Sequence, residues 1–221
     1  MAERCLLYYI TDRKVFAQDE PSRYRSLLEK IEEAATAGVD YIQLREKDLE
    51  TRVLESLALE AVRVVRKVQN GNTELKTAIL INSRADIALC SEADGVHLRS
   101  GDISPEIVQR VWQRRSHGIR GRSPLIGVSC HSPAEVDQAA VKGATFAVFA
   151  PVFGKKDAPE SNPAGLESLM RACKANIPVL ALGGVTLANA GACLEAGASG
   201  ISGIRLFQEN DVSNVVQSLR R

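Results

Sequence analysis

An amide and two cations alternate along one short stretch of the chain, Tyr41–Asp48. Gln43, Arg45 and Lys47 are separated by single residues, so on a strand they project from the same face. An amide and two cations that converge at a strand end form a natural grip for a phosphorylated ligand. A strand that simply runs out into solvated charge is the alternative, and this stretch alone does not decide between the two.

Eight strand-like runs alternate with segments of helical periodicity along the chain. The runs are rich in β-branched and aromatic residues and lie at 6–11, 40–44, 78–82, 95–98, 125–129, 146–150, 178–182 and 200–204. Strands that alternate with helices form a parallel sheet, and eight such units in 221 residues predict a closed (β/α)₈ TIM barrel, in the α/β class. An open doubly wound sheet is the alternative. No change of composition divides the chain, so residues 1–221 are expected to form a single domain.

A short phrase recurs ahead of three of these strands, at Ala37–Asp40, Lys142–Thr145 and Ala196–Ser199. Each phrase contains a glycine that can end a helix and turn the chain into the next strand. This regular punctuation favours the barrel over the open sheet.

In barrels of this kind the chemistry takes place at the C-terminal ends of the strands. The sequence places there a ring of basic and hydrogen-bonding residues with few carboxylates: Thr11, Asp12, Gln43, Arg45, Lys47, Asn82, Ser83, Arg84, His97, Asp102, Ser129, His131, Lys155, Lys156, Gly183, Gly184 and Arg205. Such a ring suits the binding of phosphate or pyrophosphate better than catalysis by paired acids.

Two glycines and an arginine follow the last two strands, where barrel enzymes usually bind phosphate. Gly183 and Gly184 precede a helix, and bare backbone N–H groups at such a point form an anion site. Arg205 would add a bidentate donor. A simple tight turn is the alternative for the glycine pair.

Asp102 is an acid within the basic ring, which makes it a candidate Mg²⁺ ligand or, equally, a cap for the helix that begins near Ser104. His131 could shuttle a proton or cap the helix that follows it. His97 lies between two apolar strand residues, so we interpret it as structural.

The composition excludes several classes of protein. With 45% hydrophobic and 25% charged residues the chain reads as an ordinary soluble domain, and its net charge of +1 gives no bulk attraction to nucleic acid or membrane. No apolar run approaches the roughly 18 residues of a membrane span, and no signal-peptide pattern precedes the first strand. The five cysteines are scattered and form no CxxC pair, so we expect reduced thiols in a cytoplasmic protein and no zinc site.

Seven phrases together point to a known family, and they cover nearly the whole chain: Tyr9–Asp12, Gln43–Lys47, Ile81–Leu89, Ala93–Leu98, Gly127–His131, Ala150–Phe153 and Ala181–Val185. On these phrases the sequence resembles the superfamily of thiamine-phosphate synthase and TenI-type thiazole tautomerase. Gln43–Lys47 and Ala93–Leu98 are specific for the superfamily as a pair, but they do not separate its two activities.

The resemblance to the synthases implies a transferase that joins hydroxymethylpyrimidine pyrophosphate to thiazole phosphate, giving thiamine phosphate and pyrophosphate. A pyrimidine carbocation forms first, and the thiazole nitrogen then attacks it. Mg²⁺, implied at Asp102, and cationic side chains stabilise the leaving pyrophosphate.

The same resemblance assigns roles to individual residues. The implied contacts to the pyrimidine pyrophosphate are Gln43, Arg45, Lys47, Asn82, Ser129 and a lysine of the pair Lys155 and Lys156. The implied contacts to the thiazole phosphate are Gly184, Ile204 and Arg205, and the adjacent Gly183 belongs to the same predicted anion site. The predicted catalytic set is Arg45, Lys47, Ser129 and His131.

Ser83 departs from the synthase pattern, which carries at this position an aspartate that serves as a second Mg²⁺ ligand. This difference should weaken metal binding, unless Glu46, Asp48 or a water fills the gap. The loop after Phe153 also departs, since it lacks two threonines and carries lysines instead. Arg205 stands where a serine is expected, and these cations can supply the phosphate contacts that hydroxyls usually make.

Two other functions remain open. The tautomerase relatives also lack the acid at position 83 and shuttle a proton on the histidine of a Ser-x-His phrase, which would make His131 the central residue of an isomerase. A non-catalytic barrel that binds a phosphorylated thiamine precursor is the second. Gln43 and Lys47 favour the synthase, because a tautomerase needs no pyrophosphate grip. The expected partners are the phosphorylated pyrimidine and thiazole and, in a homodimer, a second copy of the chain, with neither nucleic acid nor membrane.

Overall fold

Eight parallel strands close into a barrel in the computed structural model, which describes residues 4–16, 19–115, 123–154 and 162–220. Each strand pairs with the next along the chain, and the last pairs with the first. The strands are β1 Leu6–Ile10, β2 Tyr41–Leu44, β3 Ala78–Asn82, β4 Gly95–Leu98, β5 Leu125–Cys130, β6 Phe146–Phe149, β7 Val179–Ala181 and β8 Gly200–Gly203. The predicted (β/α)₈ barrel is therefore confirmed, and the open sheet is wrong.

Helices follow the strands around the outside of the barrel. Within the described ranges they are α1 Glu20–Thr36, α2 Thr51–Gly71, α3 Ala85–Cys90, α4 Pro105–Arg115, α5 Pro133–Val141, α6 Gly165–Ala172, α7 Ala190–Glu195, α8 Arg205–Gln208 and α9 Val212–Leu219. No helix in the described part of the chain is both long and apolar enough to cross a membrane.

Side chains set the starts of two helices. α1 begins at Glu20, because the Asp19 side chain accepts a hydrogen bond from the backbone N–H of Ser22 at 2.8 Å and caps the first turn. α7 begins at Ala190, because the Asn189 side chain accepts from the N–H of Thr186 at 2.7 Å and holds a non-helical turn before it.

Alternate strand residues face two separate apolar regions. Tyr8 packs inside the barrel, edge-on to Phe146 at 5.3 Å between ring centroids, and Phe146 stacks on Tyr41 at 4.9 Å. Its neighbour Tyr9 points outward and packs against Phe207 of α8. Since Tyr41 and Phe146 are the first residues of their strands, these rings fill the N-terminal end of the barrel. The opposite end, where the strands finish, is left for polar side chains; we call it the mouth.

Three glycines end helices in the same way. Gly38, Gly143 and Gly197 have φ of 81°, 81° and 97°, in the left-handed region that favours glycine. The N–H after each glycine bonds a carbonyl five residues back, as when Val39 donates to Ala34 at 3.0 Å. This is the Schellman ending that the recurring phrase predicts.

The structure reveals a fourth copy of this ending that the sequence concealed. Glu92 has φ of 57°, and the following Ala93 donates to the carbonyl of Ala88 at 3.0 Å. A glutamate thus occupies the position that glycine holds in the other copies.

Polar side chains ahead of even-numbered strands bond the strand before them. Asp40 accepts from the N–H of Leu7 at 2.8 Å, and Asp94 accepts from that of Ile79 at 2.9 Å. The hydroxyl of Thr145 accepts from the N–H of Ile126 at 2.9 Å. These contacts, which we call the N-terminal stitches, fix the strand register at the end of the barrel opposite the mouth.

Candidate functional site

Two amide side chains meet at the ends of β2 and β3. Gln43 donates through Nε2 to Asn82 Oδ1 at 2.9 Å, and Asn82 donates through Nδ2 to Ser83 Oγ at 3.2 Å. Gln43 is buried and Asn82 half-buried, so both amides line the wall of the mouth rather than its rim. The alternation that selected Gln43 in the sequence is therefore matched by an inward-facing side chain.

Arg99 continues this network to Asp102. Its Nε donates to Ser83 Oγ at 2.8 Å, its backbone N–H donates to Asp102 Oδ2 at 2.7 Å, and its Nη2 lies 3.3 Å from Asp102 Oδ1. Burial raises the pKa of Asp102, but the hydrogen bonds from Arg99 and Ser83 outweigh it, so the pKa is lowered overall. Asp102 is thus a carboxylate at neutral pH.

Arg99 was missed in the sequence, although a signal was present. It follows His97 by two residues, so the alternation along β4 places it on the inward face. Arg99 itself lies one residue beyond the end of β4, in the loop that leads to Asp102.

The predicted cations lie beside this network. Arg45 is half-buried, and burial is the main cause that lowers its pKa; the charge of Arg99 lowers it further, while Asp12 and Glu46 oppose the shift. Lys47 is exposed at the beginning of the loop that leads to α2. Lys155 and Lys156 lie outside the described residues.

A buried arginine holds the loop that carries these cations. Arg13 is 3% exposed and donates to Asp48 Oδ1 and Oδ2 at 2.7 and 2.9 Å and to Glu46 Oε2 at 3.2 Å. Thr11 donates to Glu46 Oε1 at 2.6 Å and accepts from the backbone N–H of Arg45 at 2.9 Å. We call these residues the Arg13 clasp; the strand pattern gave no sign of it.

The clasp also corrects one expectation. Asp48 raises the pKa of Arg13, and Arg13 in turn lowers that of Asp48. Burial raises the pKa of Glu46, while hydrogen bonds from Thr11 and Arg13 oppose that rise. Glu46 and Asp48 are committed to Arg13, so neither supplies the acid that position 83 lacks.

His97 connects the barrel interior with the mouth. Its Nδ1 lies 3.1 Å from the hydroxyl of Tyr8 and its Nε2 lies 2.8 Å from Ser129 Oγ. Burial lowers the pKa of His97 to about 3 and raises that of Tyr8 well above its usual value, so both groups are neutral. The neutral ring has two tautomers. When Tyr8 donates to Nδ1, Nε2 donates to Ser129 and the Ser129 hydroxyl proton is left for a ligand; in the other tautomer Ser129 donates to Nε2.

His131 is an exposed residue just ahead of α5. Its Nδ1 lies 2.6 Å from the carbonyl oxygen of Ala150, and because a carbonyl can only accept, Nδ1 carries the proton. The backbone N–H of His131 donates to Glu135 at 2.8 Å. The imidazole is thereby oriented with Nε2 as its acceptor, and the helix is capped by Ser132 instead, which accepts from the N–H of Glu135 at 3.3 Å.

Gly183 and Gly184 pack tightly against the loop after β6. Their φ angles are 94° and 64°, and a Cβ atom on Gly183 would lie 2.7 Å from Pro151 Cα. A Cβ atom on Gly184 would lie 2.8 Å from the carbonyl oxygen of Gly154. Both positions therefore require glycine for conformation and for close approach, beyond any role in anion binding.

The remaining predicted residues follow β8. Ile204 precedes α8, and Arg205 is an exposed residue of its first turn, with Nε 3.6 Å from Glu209 Oε1. Together with Gly183 and Gly184 they follow β7 and β8, and β1 separates β8 from β2 and its amide. The structure therefore divides the predicted residues between two halves of the mouth.

A groove of about 560 Å³ lies elsewhere, on the outer surface between α2 and α3. Its lining includes Arg63, Arg66, Lys67 and Cys90 and none of the predicted site residues. The mouth, with its converging polar side chains, remains the candidate site.

Comparison with known proteins agrees with this geometry. The sequence model of a family described as thiamine monophosphate synthase matches residues 7–207. The putative thiamine-phosphate synthase 2 of Aquifex aeolicus is 39% identical over 204 residues, which cover 92% of this chain and 97% of that protein. The thiamine-phosphate synthase of Clostridium novyi is 36% identical over 209 residues, 93% of this chain and 91% of that protein.

A solved structure agrees as well. The thiamine phosphate pyrophosphorylase from Pyrococcus furiosus superposes with a TM-score of 0.76 at 28% identity, covering 99% of this chain and 95% of that one. Because the family match spans most of the barrel and the relatives are similar along nearly their whole length, this chain belongs to the thiamine monophosphate synthase family.

Proposed function

We propose that this chain is a thiamine-phosphate synthase, a transferase that joins hydroxymethylpyrimidine pyrophosphate to thiazole phosphate. The observation that carries the proposal is the continuous hydrogen-bonded network at the mouth, from Gln43 through Asn82 and Ser83 to Asp102, with Arg45 beside it. The network combines amides with cations and contains one acid rather than a pair. It suits a reaction in which a pyrophosphate leaves and its growing charge must be stabilised.

In this mechanism the chain positions substrates and neutralises charge. Gln43 and Asn82 hold the pyrimidine pyrophosphate, and Arg45 and Lys47 donate to the leaving group as its bond to carbon breaks. Ser129 adds a further donor in the tautomer in which His97 donates to its hydroxyl oxygen. No side chain has to remove a proton from carbon, because the thiazole nitrogen attacks with its own lone pair.

The other half of the mouth receives the thiazole phosphate. Gly183, Gly184 and Ile204 supply backbone surface that a phosphate can approach closely, and Arg205 supplies a cation. Lys155 and Lys156 are proposed to assist from the loop after β6. The two groups of residues stand at different strands, so the two phosphorylated groups bind apart while the rings of the substrates meet between them.

Mg²⁺ is proposed to bind at Asp102. Among the described residues, no group of three or more histidines, cysteines or acids could hold a metal ion. A single carboxylate nevertheless fits this ion, because Mg²⁺ commonly binds one or two carboxylates and completes its shell with waters and substrate phosphates. When bound it would neutralise charge on the leaving pyrophosphate.

The assay for this proposal supplies the purified protein with both substrates and Mg²⁺ and follows thiamine phosphate by chromatography. We expect product, and we expect Arg45→Gln to lower kcat/KM at least about tenfold, since a charge-assisted contact is worth about 1.5–3 kcal/mol. Arg23→Gln, in an exposed ion pair with Glu20, is the control and should leave the rate unchanged. Absence of product at high enzyme concentration would exclude a synthase, and saturable binding without turnover would identify a non-catalytic binder.

A tautomerase is the second candidate, and the geometry of His131 favours it. With Nδ1 bonded to Ala150, Nε2 is available to accept and return a proton. An isomerase would lose turnover in His131→Asn but keep its affinity for phosphate. Isomerisation at the normal rate in that variant would exclude this role.

The remaining expectations stay predictions. They are that residues 1–221 act as one domain, that the protein works in the cytoplasm without nucleic acid or membrane, and that two copies form a homodimer.

A further inference from the structure

The carboxylate proposed to hold Mg²⁺ already has a cationic partner. Arg99 contacts Asp102 through both its backbone N–H and its guanidinium group, and it reaches Ser83 through Nε. A divalent ion at Asp102 would therefore have to displace this guanidinium or share the carboxylate with it. The guanidinium group that competes with the metal is itself a strong hydrogen-bond donor to phosphate.

Arg99 is also the more accessible member of the pair. Its side chain is 57% exposed, whereas that of Asp102 is 13% exposed, so an anion entering the mouth meets the guanidinium first. Nε and Nη2 are engaged by Ser83 and Asp102, and a guanidinium has five N–H donors, which leaves others for a ligand.

Two guanidinium groups converge at this point. Burial is the main cause that lowers the pKa of the half-buried Arg45; Asp12 and Glu46 oppose it, and the charge of Arg99 lowers the pKa further. Neighbouring like charges of this kind are relieved when an anion binds between them. The acids that act on Arg45 are Asp12 and Glu46, and Glu46 is already bound to Arg13, whereas Asp102 contacts Arg99. A pyrophosphate carries enough negative charge to pair with both guanidinium groups.

We propose that Arg99 is a pyrophosphate-binding residue that acts beside Arg45, so that this site binds pyrophosphate without a divalent ion. The choice of ligand rests on the proposed synthase function. Arg99 permanently supplies the positive charge that Mg²⁺ would otherwise bring. Ser83 is neutral, so it contacts the guanidinium group of Arg99 without neutralising it, whereas an aspartate at position 83 would form an ion pair with Arg99. The metal then adds to the affinity of the site instead of creating it.

Calorimetric titration of EDTA-treated protein with inorganic pyrophosphate tests this proposal. We expect saturable binding to the wild type and at least about tenfold weaker binding to Arg99→Gln, from the loss of a charge-assisted donor. Added Mg²⁺ should recover part of the affinity in that variant. Arg99→Lys, which keeps the charge but loses the planar fork, should fall between the two.

Arg171→Gln is a closely matched control. Arg171 is also 57% exposed and also contacts an acid and a serine, Glu167 and Ser168, but it lies on the outer helix α6. Its loss should leave pyrophosphate binding unchanged.

Ser83→Asp makes the opposite change. An aspartate tolerates the positive φ of 61° at this position, so the fold should be kept. It should pair with Arg99, weaken metal-free binding and make binding depend on Mg²⁺.

The proposal fails if Arg99→Gln binds pyrophosphate in EDTA as tightly as the wild type, or if the wild type binds only with Mg²⁺. The two proposals can fail separately. Thiamine phosphate formation without metal-free pyrophosphate binding would refute the role of Arg99 and leave the synthase standing. Arg99-dependent binding without product would do the reverse.

Discussion

His97, buried in the barrel, makes the stability of the protein depend on pH. The pKa of the folded state, about 3, lies below the ordinary value of 6.5, so the unfolded chain binds one more proton between these values. Stability contributed by neutral His97 is complete above pH 6.5 and is lost as the pH falls toward 3. We expect the free energy of unfolding to drop by about 2 kcal/mol between pH 7 and pH 5 from this residue.

Urea denaturation at the two pH values measures the effect. In His97→Gln the free energy of unfolding should depend less on pH by about the same 2 kcal/mol, whatever its absolute stability. The charges that act on the imidazole, Asp102 and Arg45, are unchanged in this variant. An identical pH dependence in both proteins would show that His97 does not remain neutral.

At the residue scale the sequence located most of the polar wall. Gln43, Asn82 and Asp102 were predicted to lie at strand ends, and the structure joins them in one network. Arg99 was not predicted, because its contact with Ser83 forms only when β3 and β4 pair and bring the two residues together. Contacts of that kind follow from register, which the local pattern does not contain.

Among the elements, the loop between β2 and α2 depends most on a distant partner. Arg13→Gln would leave the buried Glu46 without its cation, so we expect a loss of about 3 kcal/mol or more in unfolding free energy. The loop carrying Arg45 and Lys47 would loosen, so KM for the pyrimidine pyrophosphate should rise more than kcat falls. Steady-state kinetics with thiazole phosphate saturating would measure this split.

A matched control separates the clasp from surface charge. Glu20 contacts Arg13 at 3.0 Å and pairs with Arg23 as well at 3.2 Å, in a contact near the surface. Of these two contacts Arg23→Gln removes only the second, and it should change stability by less than about 1 kcal/mol. If Arg13→Gln leaves KM unchanged, the clasp supports the fold without positioning the cations.

Among the repeated helix endings, the copy at Glu92 leads to a substitution that we expect to stabilise the protein. Glu92 adopts a φ of 57° that costs a non-glycine residue about 1–2 kcal/mol, so Glu92→Gly should stabilise the protein by about 0.5–1 kcal/mol after the entropy of glycine is subtracted. Gly143→Ala, at φ of 81°, should destabilise it. Thermal or urea unfolding of the two variants would show the contrast, and a destabilised Glu92→Gly would mean that the glutamate side chain makes a contact of greater value.

The sequence predicted elements well where they were long or buried on both faces. Strands enclosed by helices read as short apolar runs, so their positions were predicted closely. α8 is only Arg205–Gln208 and shows no periodicity to detect. Gln208 ties it to β1, accepting from the N–H of Asp12 and donating to its carbonyl, both at 3.0 Å, and this contact joins opposite ends of the chain.

At the scale of the whole molecule, Arg220 joins α9 to the turn before β2, at the end of the barrel away from the mouth. Arg220 donates to the carbonyl of Gly38 at 2.8 Å and to the carboxylate of Asp40. Arg220→Gln should lower the free energy of unfolding by about 1–3 kcal/mol, because these are largely buried charge-assisted bonds. Synthase kinetics should be unaffected, since no predicted site residue is touched.

Arg4 provides the comparison, because it contacts the same carboxylate from a side chain that is 61% exposed, against 15% for Arg220. Arg4→Gln should change the unfolding free energy by less than about 1 kcal/mol. Equal effects of the two substitutions on urea unfolding would show that burial does not set their strength.

At this scale the barrel could be predicted by counting units, because eight alternating segments leave few closed arrangements. The two-sided mouth could not, since it depends on which strands face one another after closure. Ser83 and Gly184 are about a hundred residues apart in sequence, and they come to lie on opposite walls of the mouth only when the barrel closes.

The N-terminal stitches have a consequence for how such a chain diverges. Asp40, Asp94 and Thr145 set the register of neighbouring strands far from the mouth, so that frame does not depend on the residues that touch substrate. An exchange such as aspartate for serine at position 83, or lysines for threonines after β6, alters the ligand site without shifting a strand. Substitutions at the mouth can therefore change which phosphorylated ligand binds, while the contacts at the N-terminal end of the barrel keep the fold unchanged.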